Sequence, residues 1–95
     1  MRIRIKMLGL LKKISGKSEF FLDLPSNEAR LKDVVEGILK ETNALREILL
    51  DPEMMDPRPN TIVLINGREM DLLGGLEAAI KDGDEIVFIP IVHGG

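Results

Sequence analysis

Asp82-Gly83-Asp84-Glu85-Ile86-Val87-Phe88-Ile89-Pro90-Ile91 is the stretch whose reading decides the fold. Asp82-Gly83-Asp84 is a turn signal, and the apolar, largely β-branched run from Glu85 to Ile91 reads as a last strand. Its counterpart lies at the other end of the chain. From Arg2 to Leu8 the alternation is strict, with Ile3, Ile5 and Met7 on one face and Arg2, Arg4 and Lys6 on the other, as a half-buried strand requires. Both strands have the apolar content of central strands, so they are expected to lie side by side. If both enter the sheet in the same direction, that pairing is parallel.

The segments between them complete the plan. Leu10, Leu11 and Ile14 lead into Ser15-Gly16-Lys17, a turn signal, and Glu19 to Leu24 alternates again through Phe20, Leu22 and Leu24. The first two strands therefore read as a hairpin with a long connection. After Pro25-Ser26-Asn27, Leu31, Val34, Val35, Ile38 and Leu39 fall at i, i+3, i+4, i+7 and i+8, which predicts a helix with one apolar stripe. Gly37 within it costs about 1 kcal/mol relative to alanine. Leu45, Ile48 and Leu49 repeat the helical spacing, with Asn43 as an expected N-cap. Three prolines, Pro52, Pro57 and Pro59, make 51–60 an irregular surface loop. Thr61-Ile62-Val63-Leu64-Ile65 then meets Asn66-Gly67, which suits the two positive-φ positions of a type I′ hairpin turn. A single sheet on one main helix follows: an α+β, β-grasp arrangement, one domain over 1–95 with a flexible tail at 92–95.

Composition excludes several function classes. Ninety-five residues hold one modest core, and 44% hydrophobic with 31% charged residues is an ordinary globular balance. There is no cysteine, so this chain offers no disulfide, thiolate metal site or cysteine nucleophile. Its longest apolar runs, such as Thr61 to Ile65, fall far short of the roughly 20 residues that cross a bilayer. Charge interleaves with apolar residues from Arg2 to Lys6, unlike a secretory signal, so a cytoplasmic location is expected. A net charge of −3 argues against a general nucleic-acid-binding surface.

Asp82 to Pro90 followed by Gly94-Gly95 resembles the end of the MoaD and ThiS sulfur carriers. Arg58-Pro59-Asn60-Thr61-Ile62-Val63-Leu64-Ile65-Asn66-Gly67, then Asp71-Leu72-Leu73-Gly74, then His93-Gly94-Gly95 look most like the ubiquitin-related modifier branch of that family. Pro90 is more typical of the MoaD side. The specific likeness covers 58–95 and the coarse one the whole chain. The resemblance implies a β-grasp fold and a cycle in which a ubiquitin-activating-type enzyme uses ATP to adenylate Gly95. The adenylate then becomes a thiocarboxylate that delivers sulfur to an acceptor enzyme, a tRNA thiolase or the molybdopterin synthase large subunit. Some relatives are attached to lysines of other proteins. The chain itself is expected to bind no cofactor and not to be an enzyme.

The chemistry gives the tail a reason. A carboxylate is a poor electrophile until it is coupled to a leaving group, and a chain end entering a nucleotide crevice must be narrow and free to take φ angles closed to residues with a Cβ. Gly94 and Gly95 meet both demands. The internal Gly74-Gly75 pair is locked in peptide bonds and reads as turn chemistry. His93, the sole histidine, reads as a tail residue that contacts the activating enzyme. Neither a catalytic triad nor a zinc site can be built around it. Asp82, Asp84 and Glu85 fit no calcium loop and read as turn and strand start. Arg2, Arg4, Lys6, Lys12, Lys13 and Lys17 read as a solvated face.

Strand parity adds a surface. With Ile86 and Phe88 facing in, Val87 and Ile89 face out, and so does Leu64 between inward Val63 and Ile65. With Leu8 these form an exposed apolar cluster, the usual mark of a partner surface. Three functions remain open: a sulfur carrier, a lysine-conjugated modifier using the same carboxylate, and a noncatalytic β-grasp binding module whose glycines are incidental.

Overall fold

In the computed structural model, which describes residues 1–51 and 53–91, the two ends of the chain meet at the centre of a five-stranded sheet. The first strand, β1 (Arg2–Met7), pairs in parallel with the last, β7 (Glu85–Pro90), with Ile5 beside Ile86 and Met7 beside Phe88. On the far side of β1 lies antiparallel β2 (Glu19–Asp23). On the far side of β7 lies antiparallel β4 (Thr61–Ile65), which turns back into the two-residue β5 (Arg68–Glu69). The order is β2-β1-β7-β4-β5. A second sheet of two short strands, β3 (Ala29–Arg30) and β6 (Ala79–Ile80), sits apart from it and corrects the single-sheet expectation.

The core forms where the two periodicities face each other. Ile3, Ile5 and Met7 of β1, Ile86 and Phe88 of β7, and Val63 and Ile65 of β4 are buried on one face of the sheet. Against them pack Leu31, Val34, Val35, Ile38 and Leu39 of α2 (Leu31–Glu41), the stripe read from the sequence. The α2 start is held by the Asp33 carboxylate, which accepts the Arg30 N–H at 2.8 Å. Gly37 has a packing reason: a Cβ there would stand 3.1 Å from Cδ2 of Leu22, so the missing side chain lets α2 approach β2.

The connection between β1 and β2 is helical. A seven-residue helix, α1 (Gly9–Ser15), fills it, with Leu11 fully buried and Gly16 closing it in the left-handed conformation at φ 75°. Asn43 is not an N-cap either. It opens a 3₁₀ turn, Asn43–Leu45, that runs into α3 (Arg46–Leu49), and its amide oxygen receives only a long bond from Arg46. Leu45 and Leu49 are buried as their spacing predicts. Asn66 and Gly67, at φ 50° and 83°, make the expected hairpin turn. Two 3₁₀ turns, Met70–Leu73 and Gly75–Glu77, carry the chain on, with Gly74 and Gly75 both at positive φ. Among the described residues no helix is long and apolar enough to cross a membrane.

Gly37→Leu should lose about 1–3 kcal/mol through overpacking against Leu22. In urea unfolding the midpoint falls while the slope stays constant; an unchanged midpoint would mean that β2 yields freely.

Candidate functional site: the exit of the last strand and its open sheet face

The face of the sheet turned away from α2 has two halves. On one, Leu64 stands directly across from Val87 and Ile62 across from Ile89, all four partly exposed. These are the outward residues that parity predicts, with Ile62 as an addition the same parity argument contains. Leu8 is 44% exposed, and its N–H donates to the Phe88 carbonyl at 3.1 Å, which sets it at the end of the parallel ladder beside the strand exit. Leu8, Leu64, Val87 and Ile89 thus gather where the last strand leaves the sheet. An apolar strip on an open sheet is the kind of surface a partner covers.

The other half is charged but paired. Arg2 meets Asp23, Arg4 meets Glu19 and Glu85, and Lys6 meets Glu85. The bond from Arg2 holds the Asp23 carboxyl below the usual carboxylate range. Phe21, half exposed on β2, lies 5.1 Å from the Arg2 guanidinium and 5.6 Å from that of Arg4. The positive charge of β1 is therefore balanced inside the sheet rather than left as a basic patch.

The acidic turn is structural. The Asp82 carboxylate accepts the Arg2 N–H, and that of Asp84 accepts the Lys81 N–H and the Asn66 side-chain amide. Among the described residues no group of three or more His, Cys, Asp or Glu is placed to hold a metal.

Beyond the strand, the Ile91 N–H donates to the Asn60 carbonyl at 2.9 Å, extending the β4–β7 ladder by one bond. Asn60 is itself fixed, because its N–H and that of Thr61 both donate to the Pro57 carbonyl. The 53–60 segment is irregular as predicted but not merely a surface loop, since Asp56 is 4% exposed, and Pro52 lies outside the described residues. Arg58 donates from its backbone N–H and its guanidinium to Asp56 and reaches Asp71 as well. The Arg58 bonds depress the Asp56 pKa against the opposing effect of burial, and those to Asp56 and Asp71 raise that of Arg58. The sequence signal for this clamp was only the Asp-Pro-Arg-Pro order, which shows no partner. His93, Gly94 and Gly95 lie outside the described residues, as does the 92–95 tail as a whole.

Arg58→Met leaves the Asp56 carboxylate nearly buried without its cation, at a cost of about 1–3 kcal/mol near pH 7. Since the folded pKa of Asp56 is depressed, its contribution is present above the ordinary carboxylate range and is lost as pH falls through the lowered value. The stability gap between the parent and Arg58→Met should therefore narrow in acid, as thermal melts from pH 7 down to 3 can read. A gap independent of pH would remove Asp56 from the account.

Three comparisons place these features among known proteins. The family model for Urm1 (Ubiquitin related modifier) matches residues 2–95. The ubiquitin-related modifier 1 homolog of Dictyostelium discoideum is 33% identical over the whole of both chains, and small archaeal modifier protein 3 of Haloferax volcanii is 27% identical over the whole of both. The crystal structure of SAMP1 from Haloferax volcanii superposes with a TM-score of 0.85 over all of both chains at 22% identity, a likeness of fold.

Proposed function

Because the chain belongs to the ubiquitin-related modifier family, we propose that it is a ubiquitin-like sulfur carrier that presents the Gly95 carboxylate to partner enzymes and catalyses nothing itself. The observation that carries this reading is the parallel β1–β7 pair. It buries Ile86 and Phe88 at the centre of the fold and brings the strand, as far as Ile91, beside an apolar strip that a partner can cover.

The activating partner, a ubiquitin-activating-type enzyme in the cytoplasm, supplies ATP. A Gly95 carboxylate oxygen attacks the α-phosphorus, the bond to pyrophosphate breaks, and an acyl adenylate forms. A persulfide sulfur of the partner then attacks the carbonyl carbon and expels AMP. A thiol then attacks the partner-side sulfur of the resulting acyl disulfide and breaks its S–S bond, which leaves the thiocarboxylate on this chain and a new disulfide between the thiol and the partner. Gly94 keeps the approach narrow, and His93 meets the wall of the activating enzyme. The carrier's role is positional: Leu64, Val87, Ile89 and Leu8 dock, and the tail delivers the reacting atom. The thiocarboxylate then serves a sulfur acceptor, a tRNA thiolase or a molybdopterin synthase large subunit.

A second reading, conjugation of the same carboxylate to lysines, is favoured by relatives that carry the name of modifier. The two share every step up to the adenylate and differ in the nucleophile.

With ATP, a sulfur donor and the cognate activating enzyme, intact-mass spectrometry should show the exchange of one oxygen for one sulfur on this chain. Adducts on lysines would support the modifier instead. Neither product would leave the noncatalytic module. Val87→Asp, which places charge in the apolar strip, should raise KM for the carrier about tenfold with kcat retained; an unchanged KM would remove the strip from the docking surface.

A further inference from the structure

The described chain is anchored up to Ile91, and the anchoring has two sides. On the β4 side, Ile91 is bonded to Asn60, which the Pro57 carbonyl and the Arg58 clamp hold in turn. On the β1 side, the contact is between Gly9 and Pro90. Gly9 has φ +54°, and a Cβ built on it would stand 3.0 Å from Cγ of the Pro90 ring. The ring occupies the space a side chain at residue 9 would need.

Pro90 also ends the parallel ladder. Along β7 the even residues face β1, and the next donor after the Leu8-to-Phe88 bond would be the N–H of residue 90 toward the Leu8 carbonyl. Proline has no N–H to offer. The Leu8 carbonyl instead accepts from Lys12 N–H at 3.4 Å, in the first turn of α1. Residue 90 thus lets β1 leave the sheet as a helix, and residue 9 lets that helix pass against the proline ring.

We propose that Gly9 and Pro90 form an exit guide, positioning residues that fix the direction in which the chain leaves Ile91, so that Gly95 arrives at the partner's nucleotide site in reacting geometry. The inference rests on the carrier reading above and adds residues to it. Gly95 is the fourth residue after Ile91, and four residues span at most about 14 Å. Over so short a reach the starting direction matters. A displacement of about 1 Å at reacting atoms can cost on the order of a hundredfold in rate. Neither residue belongs to the apolar strip, so the guide acts on delivery and leaves docking alone.

That separation supplies the test. The parent, Gly9→Ala, Pro90→Ala and the double variant are assayed for pyrophosphate release with the cognate activating enzyme and ATP, at a temperature where melting curves show all four folded. For Gly9→Ala, kcat should fall about tenfold, with KM for the carrier within about twofold of the parent. Pro90→Ala alone should lower kcat about threefold with KM kept, because the ring that meets Gly9 is gone while the Ile91–Asn60 bond remains. The double variant should lose no more than Gly9→Ala alone, because both substitutions act on the same Gly9–Pro90 approach. If Gly9→Ala does not fold, Gly9→Asn takes its place, asparagine being tolerant of positive φ. An unchanged kcat in either single variant, a KM that rises instead, or losses that multiply in the double variant would overturn the exit guide while leaving the carrier intact. A parent chain that releases no pyrophosphate would overturn the carrier reading and this inference with it.

Discussion

Parallel pairing of β1 with β7 is the constraint from which the rest of the molecule follows. Two parallel strands cannot be joined by a tight turn, and here the connection is nearly the whole chain: α1, β2, α2, α3, β4 and β5 all lie between Met7 and Glu85. Because the side-chain period of a strand is two, the register that puts Ile86 and Phe88 into the core also puts Val87 and Ile89 outside. Core and outer apolar strip are therefore the two faces of one register. A slip of one residue would exchange them, which is why a well-packed interior also specifies the apolar strip on the opposite face.

Around that pair the molecule divides its labour. The sheet and α2 supply a rigid body, packed closely enough that a Cβ at Gly37 would press on Leu22. The end of β7 is then held between α1 on one side and the 57–60 turn on the other. Asp56, Arg58 and Asp71, by fixing the turn that carries Asn60, help set where the strand's last described bond is made. Ion pairs on the open face, being exposed, contribute little to stability; they leave the β1 half of that face without net charge and the β4–β7 half apolar.

Much of this was legible in the residues themselves. Alternation in 2–8 and 19–24, the helical stripe from Leu31, Asn66-Gly67 and the outward parity of Leu64, Val87 and Ile89 are local signals, and the structure follows each of them. What was misread depends on distant partners. The 9–15 segment looks like a connection because it is short and buries only Leu11 fully, and nothing at Gly9 or Pro90 announces that the two meet across 81 positions of sequence. The β3–β6 pair is two residues long on each side, too brief for a pattern. Asp56 sits between prolines in a segment that reads as surface loop, and its partners, Arg58 and the Asp51 N–H, are set by how the loop folds back. The tail residues His93, Gly94 and Gly95 were identified by chemistry and family likeness alone.

The central claim is that the fold exists to present one carboxylate. ATP–pyrophosphate exchange by the cognate activating enzyme, measured with the full chain and with a chain lacking Gly95 alone, tests it most directly when binding of both chains is measured in parallel. The account predicts that the shortened chain binds through its sheet face as before and supports no exchange. Exchange at the parent rate without Gly95 would contradict it.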